Sequence, residues 1–329
     1  MVKPVLVLTR REVERLLHPA ACVAAIETAF RMHAAGAMRS AILGLHVADG
    51  GFHAKAAVMP GKRPYFATKV NANFPANPAR HRLPTIQGVL ALFDATTGEP
   101  LALMDSIAIT ILRTAAATAV AALYLARADA STVTIVGCGA QALAQLVALR
   151  TVRPVAQVFA HDIDPAVCNA FARGATDILG IPVLAVDDLP RATLASDIVV
   201  TCTTSRRAFL GAGHVAPGAF IAAVGADNEE KQEIDPRLLA TSAVVVDSLE
   251  QCAAIGDLHH AITAGAMRAG DIRAELGDVI VDPARARRRN EEIVIFDSTG
   301  VAIQDVAAAA LVYERASSDG IGMSVELGS

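Results

Sequence analysis

The stretch STVTIVGCGAQALAQLVAL, residues 131–149, decides how the chain folds. It begins as an apolar strand without charges and continues with helical spacing. Between the two lie Gly137 and Gly139, with Ala142 in the third small-residue position. This is G-x-G-x-x-A placed between a strand and a helix. The first glycine permits the tight turn, the second lets backbone approach a pyrophosphate, and the third small residue allows close helix–strand packing. A pyrophosphate would rest on the unpaired N–H groups of the helix N-terminus. Gly137, Gly139, Ala140 and Gln141 are therefore expected to contact a dinucleotide.

The same pattern continues downstream. PVAQVFAHD, IPVLAV, ASDIVVTCTTS, GAFIAAVGAD, TSAVVVDS and EEIVIFDSTG read as strands, several of them alternating with helices such as PAVCNAFARGATDILG. Alternating buried strands and helices predict a doubly wound parallel sheet, an α/β fold. Asp162 ends the second strand, 25 residues past Gly137. An acid there accepts hydrogen bonds from the adenosine ribose and disfavours a 2′-phosphate, which favours NAD over NADP. Asp164 precedes a proline and reads as a helix N-cap.

Upstream, to about Ala102, helix and strand are mixed. The first strand runs into RREVERLL, and PAACVAAIETAFRMHAAG has helical spacing with Gly36 as its stop. AILGLHV, FHAKAAVM, YFATKVNANF and TIQGVLALFD are extended runs separated by turn signals, and predict a mostly antiparallel sheet. SIAITILRTAAATAVAALYLARA, Ser106–Ala128, is long enough to tempt a membrane assignment. Arg113 argues against it, because arginine at a bilayer centre costs roughly 2.5–3.5 kcal/mol. The run reads instead as a buried helix capped by Asp105 or Ser106. VAIQDVAAAALVYERASSDG predicts a last helix packed on the first part of the chain. RARRR, Arg285–Arg289, reads as a solvated helix end.

Composition narrows the function. Hydrophobic residues at 53% with only 19% charged exclude disorder. A net charge of -4 and 4% aromatics give no basis for nucleic acid or an anionic membrane as partner. Cys22, Cys138, Cys168, Cys202 and Cys252 are dispersed, without metal-ligand spacing. They read as free thiols of a cytoplasmic protein, and no metal is expected.

Three charges fall in or at the end of elements that should be buried. Lys69 is inside YFATKVNANF, Arg113 inside the long helix, and Asp227 follows AFIAAVG. Buried charges need partners. A purely structural network with Asp227 would satisfy both cations. Asp227 also falls at the C-terminal edge of the parallel sheet, where ligands bind in such folds. The joint reading is a cleft in which Lys69 and Arg113 clamp a carboxylate and Asp227 handles protons.

Several blocks together resemble the ornithine cyclodeaminase/mu-crystallin family. They are TKVNANFPANPARHRLPTIQGVLALFDATTGEPLALMD, TILRTAAATAVAALYLAR, IVGCGAQA, AVGADNEEKQEID and FDSTGVAIQDVAAA. The LRTAAA and FDSTG blocks are specific to that family among dinucleotide binders. The resemblance implies a substrate and dimerisation domain over residues 1–115, completed by 302–329, and an NAD(P)-binding Rossmann domain over 116–301. It implies a homodimer acting on a small amino or imino acid with an α-carboxylate. The family's carboxylate-binding residues fall on Lys69 and Arg113, its catalytic aspartate on Asp227, and its nicotinamide-side loop on Thr201–Ser205. Thr201, Thr203 and Val224 join the expected cofactor contacts, and Arg39 the substrate contacts. Family chemistry is redox exchange between an α-amino acid and its imine, as ketimine reductase, amino acid dehydrogenase or cyclodeaminase. A crystallin-like protein that only binds NADPH is a further possibility within the family. Cyclodeaminases tend to carry a glutamate two residues before the Met of a Met-Pro pair. Here Met59-Pro60 is preceded by Ala57 and, two residues earlier, Lys55. Lys55 and His53 suit a neutral or acidic substrate better than a diamine.

Overall fold

The computed structural model describes residues 4–327. Two compact units emerge, one formed by residues up to Arg113 together with those from Val301, the other by Thr114–Gly300.

The first unit carries β1 (Val5–Leu8), β2 (Arg39–Val47), β3 (Gly50–Met59), β4 (Tyr65–Asn73), β5 (Ile86–Asp94) and β6 (Pro100–Asp105). A C-terminal strand, Met323–Val325, joins them in a seven-stranded sheet. Its order is C-terminal strand, β1, β6, β5, β4, β3, β2. Only β1 and β6 pair in parallel, and the other pairs are antiparallel as the turn signals predict. Strand side chains alternate between faces, so the register fixes which residues meet. Lys69 stands opposite Lys55 on β3 and Leu90 on β5. That face also holds Ala57, Ala67 and Leu92, all buried. The helix Ala302–Asp319 packs against β3, β4 and the helix Pro19–Ala34. The opposite face exposes Leu43, Leu45, Phe52, Val58, Val70 and Val89.

The helix Ser106–Leu125 is long and apolar enough to cross a membrane, yet it is largely buried inside the protein. Asp105 caps it, Oδ1 accepting from the backbone N–H groups of Ile107 (3.0 Å) and Ala108 (2.8 Å). Alanine loses no side-chain entropy in a helix, so the run of small residues Ala115–Ala117 favours this conformation while permitting close packing.

The second unit holds β7 (Thr132–Val136), β8 (Gln157–His161), β9 (Val183–Ala185), β10 (Ile198–Thr201), β11 (Arg206–Leu210), β12 (Phe220–Ala223), β13 (Gln232–Ile234), β14 (Ala243–Val246), β15 (Ala274–Glu275) and β16 (Val294–Asp297). Eight of these form one sheet, ordered β15, β14, β16, β12, β10, β7, β8, β9. Every pair in it is parallel. Every residue of β10, β12, β14 and β16 is buried, which is why these strands read as continuous apolar runs. The fold is the expected Rossmann-type doubly wound sheet with an α+β unit beside it in the chain. The two-residue β15 and the separate β11–β13 pair are not among the expected elements. In RARRR, Arg285, Arg288 and Arg289 are solvated as expected, but the run does not end an α-helix. Only Pro283–Arg285 makes a single 3-10 turn there, and Arg287 turns inward to donate to the carbonyls of Leu125 (2.9 Å), Ala219 (3.1 Å) and Glu292.

Candidate active site

Lys69 and Arg113 are brought together in the first unit. Strand alternation turns Lys69 inward from β4, and Arg113 projects from the N-terminal half of the long helix. They are 3% and 5% exposed. Their common partner is Asp305, in the first turn of the helix Ala302–Asp319. Its Oδ1 accepts from Lys69 Nζ at 2.8 Å and from Arg113 Nε at 3.1 Å. Lys69 Nζ also donates to Thr110 Oγ1 at 3.3 Å, and Arg113 Nη1 to Gln304 Oε1 at 2.6 Å. The expected buried partner, Asp227, is not the one found here.

Burial pushes the Lys69 ammonium down to about 7, helped by the Arg113 and Lys55 charges and opposed by Asp305. Burial alone would raise Asp305. The Lys69 and Arg113 charges outweigh it and hold the carboxyl below its ordinary range. Two cations on one carboxylate leave a net positive charge in a poorly solvated place, an arrangement that favours a second carboxylate. Lys55 lies on the same face as Lys69, directly cross-strand. Ala57 is 2% exposed on that face, opposite Ala67. Arg39 does not join them. It pairs with Val58, which sets it on the other face of the sheet and exposed.

The glycine loop is in the second unit. Gly137 has φ 92°, and a Cβ there would come within 2.9 Å of Thr203 Cγ2 and 3.0 Å of the Cys202 carbonyl. Only glycine makes this turn against the loop after β10. A Cβ at Gly139 would meet nothing within 4 Å, so open space faces the loop. Gly137, Gly139, Asp162 and Thr203 line a cavity of about 570 Å³, together with Ile163 and Leu189. Asp162 ties this wall to itself, Oδ2 accepting from Cys138 N (2.8 Å) and Oδ1 from Asp164 N (3.0 Å). Asp164 is the N-cap of the helix Pro165–Leu179. Ala140 and Gln141 lead into the helix Ala142–Leu149. The glycine turn, the open space before Gly139 and the acid after β8 fit a dinucleotide.

Thr201, an expected cofactor contact, is instead fully buried, with its hydroxyl donated to Glu233 Oε2 at 2.7 Å, so it braces the loop from beneath. Val224 is half-buried and donates its N–H to the Thr201 carbonyl. Glu233, on β13, is a hub that sequence reading missed. Its Oε1 accepts from Thr203 N and Thr203 Oγ1, both at 2.7 Å, and its Oε2 also accepts from Gly225 N at 2.9 Å. A Cβ on Gly225 would lie 2.5 Å from Glu233 Oε1, so glycine is required for this approach. Asp257 Oδ1 in turn accepts from the N–H groups of Glu233 (2.8 Å) and Ile234 (2.9 Å). Asp297 Oδ2 accepts from Leu258 N at 2.9 Å. Burial raises Glu233, raises Asp257 well above the ordinary aspartate range, and lifts Asp297 to about 7.

Asp227 differs from its expected setting. Its side chain is 48% exposed, and Oδ1 accepts from Lys231 Nζ at 2.6 Å. It follows β12 at the C-terminal edge of the parallel sheet, where the sequence placed it.

Known proteins are similar over almost the whole chain. The alanine dehydrogenase of Archaeoglobus fulgidus is 38% identical over 323 residues, covering 98% of each sequence. An archaeal alanine dehydrogenase dimer with bound NAD superposes with a TM-score of 0.93 at 37% identity, covering 98% of this chain and 99% of that one. The Δ1-pyrroline-2-carboxylate reductase of Thermococcus litoralis, in complex with NADH and L-proline, also gives 0.93, at 32% identity over 98% of this chain and 100% of its own. With the model of the ornithine cyclodeaminase/mu-crystallin family matching residues 3–320, the chain belongs to that family.

Proposed function

We propose that this protein is an NAD(P)-dependent oxidoreductase that interconverts an α-imino acid and an L-α-amino acid, as a ketimine reductase or amino acid dehydrogenase. The observation that carries the reading is the buried Lys69–Arg113 pair held on one oxygen of Asp305. Such a pair binds the α-carboxylate common to both partners of the reaction. NAD(H), when bound, supplies or takes up the hydride at Cα. Gly137, Gly139, Ala140 and Gln141 bind its diphosphate, Asp162 its ribose, and Thr203 with its neighbours Thr201 and Val224 supports the nicotinamide side. Lys69 and Arg113 hold Cα in a fixed orientation, which removes much of the entropic barrier to the transfer. Asp227 delivers a proton to the imine nitrogen during reduction and recovers it during oxidation. Its exposure and its Lys231 partner suit a group that exchanges protons with water.

Ala57 and Lys55 support the reductase reading over cyclodeamination. A cyclodeaminase must hold a second amine, and Lys55 would repel it. The apolar outer face of β2–β5 supports a homodimer, since a second copy would cover Leu43, Leu45 and Phe52. Five free cysteines are consistent with a cytoplasmic location.

The test is a substrate panel. NADH or NADPH is supplied with pyruvate plus ammonium, Δ1-pyrroline-2-carboxylate or Δ1-piperideine-2-carboxylate, and oxidation of the cofactor is followed. L-Ornithine and L-lysine are supplied separately with catalytic NAD+, and ammonia is measured. Reduction of an imine supports the reading. Ammonia with a cyclic amino acid and no net NADH overturns it in favour of cyclodeamination. Leu43→Lys with Leu45→Lys should convert the dimer to monomer in sedimentation, and an unaltered dimer would assign the interface elsewhere.

A further inference from the structure

Asp305 is more than a counter-ion of convenience. Its two oxygens are treated unequally. Oδ1 receives both cations, while Oδ2 is buried without a hydrogen-bond partner among the described residues. Gln304 Nε2, next to it in sequence, is buried without a partner too. An unsatisfied buried polar atom costs stability, and this cost sits directly beside the two cations. The donors of the cations are also left incomplete. Arg113 spends Nε on Asp305 and Nη1 on Gln304, which are two of the three nitrogens of its fork. Lys69 spends two of its three N–H donors, on Asp305 and Thr110.

We propose that Asp305 is the positioning residue of the carboxylate clamp, fixing Lys69 and Arg113 on one oxygen atom while their remaining donors face the substrate. The inference rests on Lys69 and Arg113 binding the substrate carboxylate. Lys55 faces Lys69 from β3, Leu90 from β5, Thr110 and Arg113 from the long helix, and Asp305 from the C-terminal helix. Asp305 is the one acid in that set, so it is also the group that keeps Lys69 charged. Burial, Arg113 and Lys55 all favour the neutral amine, and Lys69 is already down to about 7. Removing the Asp305 charge therefore moves Lys69 further toward the neutral amine, although Asp305 need not touch the substrate.

The experiment uses NADH-loaded protein and two probes, L-proline and L-alanine, titrated calorimetrically from pH 6 to pH 9. In Asp305→Asn, binding should weaken about tenfold at pH 7.5, and the pH above which binding fades should move down by about one unit. NADH affinity should stay within about twofold, which reports an intact fold. Asp305→Glu keeps the charge, so it should weaken binding without moving that pH. If Asp305→Asn binds the probes as the unaltered protein does, or if both variants shift the midpoint equally, the inference is overturned. Should Asp305→Asn not fold, Asp305→Glu decides, and a displaced midpoint there overturns it. Lys69→Ala and Arg113→Ala separate the two levels. Loss of binding in both with an unaffected Asp305→Asn removes this inference alone. Unchanged binding in both, or no binding of either probe to the unaltered protein, removes the clamp reading beneath it.

Discussion

The two units bury charge in opposite ways. In the first, two cations share one oxygen of Asp305, and donors remain unspent. In the second, Glu233, Asp257 and Asp297 are buried with neutral donors, backbone N–H groups and threonine hydroxyls, bonded to their oxygens. Glu233 alone accepts four hydrogen bonds. Asp257 Oδ2 is left without a partner among the described residues, but Glu233 is completed by its own chain and holds the loops after β10 and β12 in place. The cationic group keeps unspent donors, which under the proposed function a substrate carboxylate would take up. Buried acids that are bonded by neutral donors and hold their protons more tightly read as architecture, whereas buried cations with unspent donors read as a site for an anion.

The largest effect should come from breaking the architectural side. Glu233→Ala strips four donors of their acceptor and should destabilise the protein by about 4 kcal/mol. Denaturant unfolding measures this, and NADH affinity should fall as Thr203 loses its anchor. A loss under about 1 kcal/mol would make the hub ornamental. Next comes the ligand side. Lys69→Ala or Arg113→Ala should raise KM for the amino or imino acid roughly a hundredfold, about 3 kcal/mol, with NADH affinity unchanged. An equal loss of cofactor binding would blur the contrast between the two regions.

Acidity offers a third comparison, with opposite signs. Asp297 binds its proton more tightly folded than unfolded, from 3.8 up to about 7. Its contribution is present at low pH and is lost as pH rises through that window. Lys69 is displaced downward, from 10.5 to about 7. Its contribution is present at high pH and is lost as pH falls through that window. Unfolding free energy from these groups should therefore be lowest near pH 7, rising by about 2 kcal/mol toward pH 5 and toward pH 9. Asp297→Asn should make the acid limb shallower, with Glu233 and Asp257 retaining part of it, and Lys69→Met should flatten the alkaline limb. The smallest effect is expected at Lys55. Lys55→Ala should improve binding of L-ornithine about threefold, and Ala57→Glu added to it should improve it further, by competition assays.

Much of the second unit was legible because its signals are local. The GxGxxA turn, the strand before it and the helix after it occupy one continuous stretch, and Asp162 follows on the next strand. What escaped was short or distant. β15 has two residues and no periodicity to read. Glu233 is hidden in the charged run EEKQE, where an acid reads as solvated. Asp305 carries the same signal as Arg113, a charge inside an apolar helix, in VAIQDVAAAALV. Its pairing could not be read because 192 residues separate it from Arg113. Arg39 fails for a different reason. One step of register sends a strand residue to the opposite face, and the hairpin joining β2 to β3 sets that step.

The distance between Lys69 and Asp305 along the chain has a consequence for synthesis. The second unit is an insertion in the first, and 236 residues part the lysine from its carboxylate. A ribosome delivers Lys69 and Arg113 long before their anion. Thr114–Gly300 holds its own sheet and can fold as a unit during the interval. Before Asp305 is made, Lys69 and Arg113 lack their carboxylate partner, which opposes burial of the strands around them. A chain halted at Gly300 should therefore keep a folded dinucleotide unit and expose its first hundred residues to protease. Addition of the helix Ala302–Asp319, which packs on β3, β4 and the helix Pro19–Ala34, should then restore protection to the first unit.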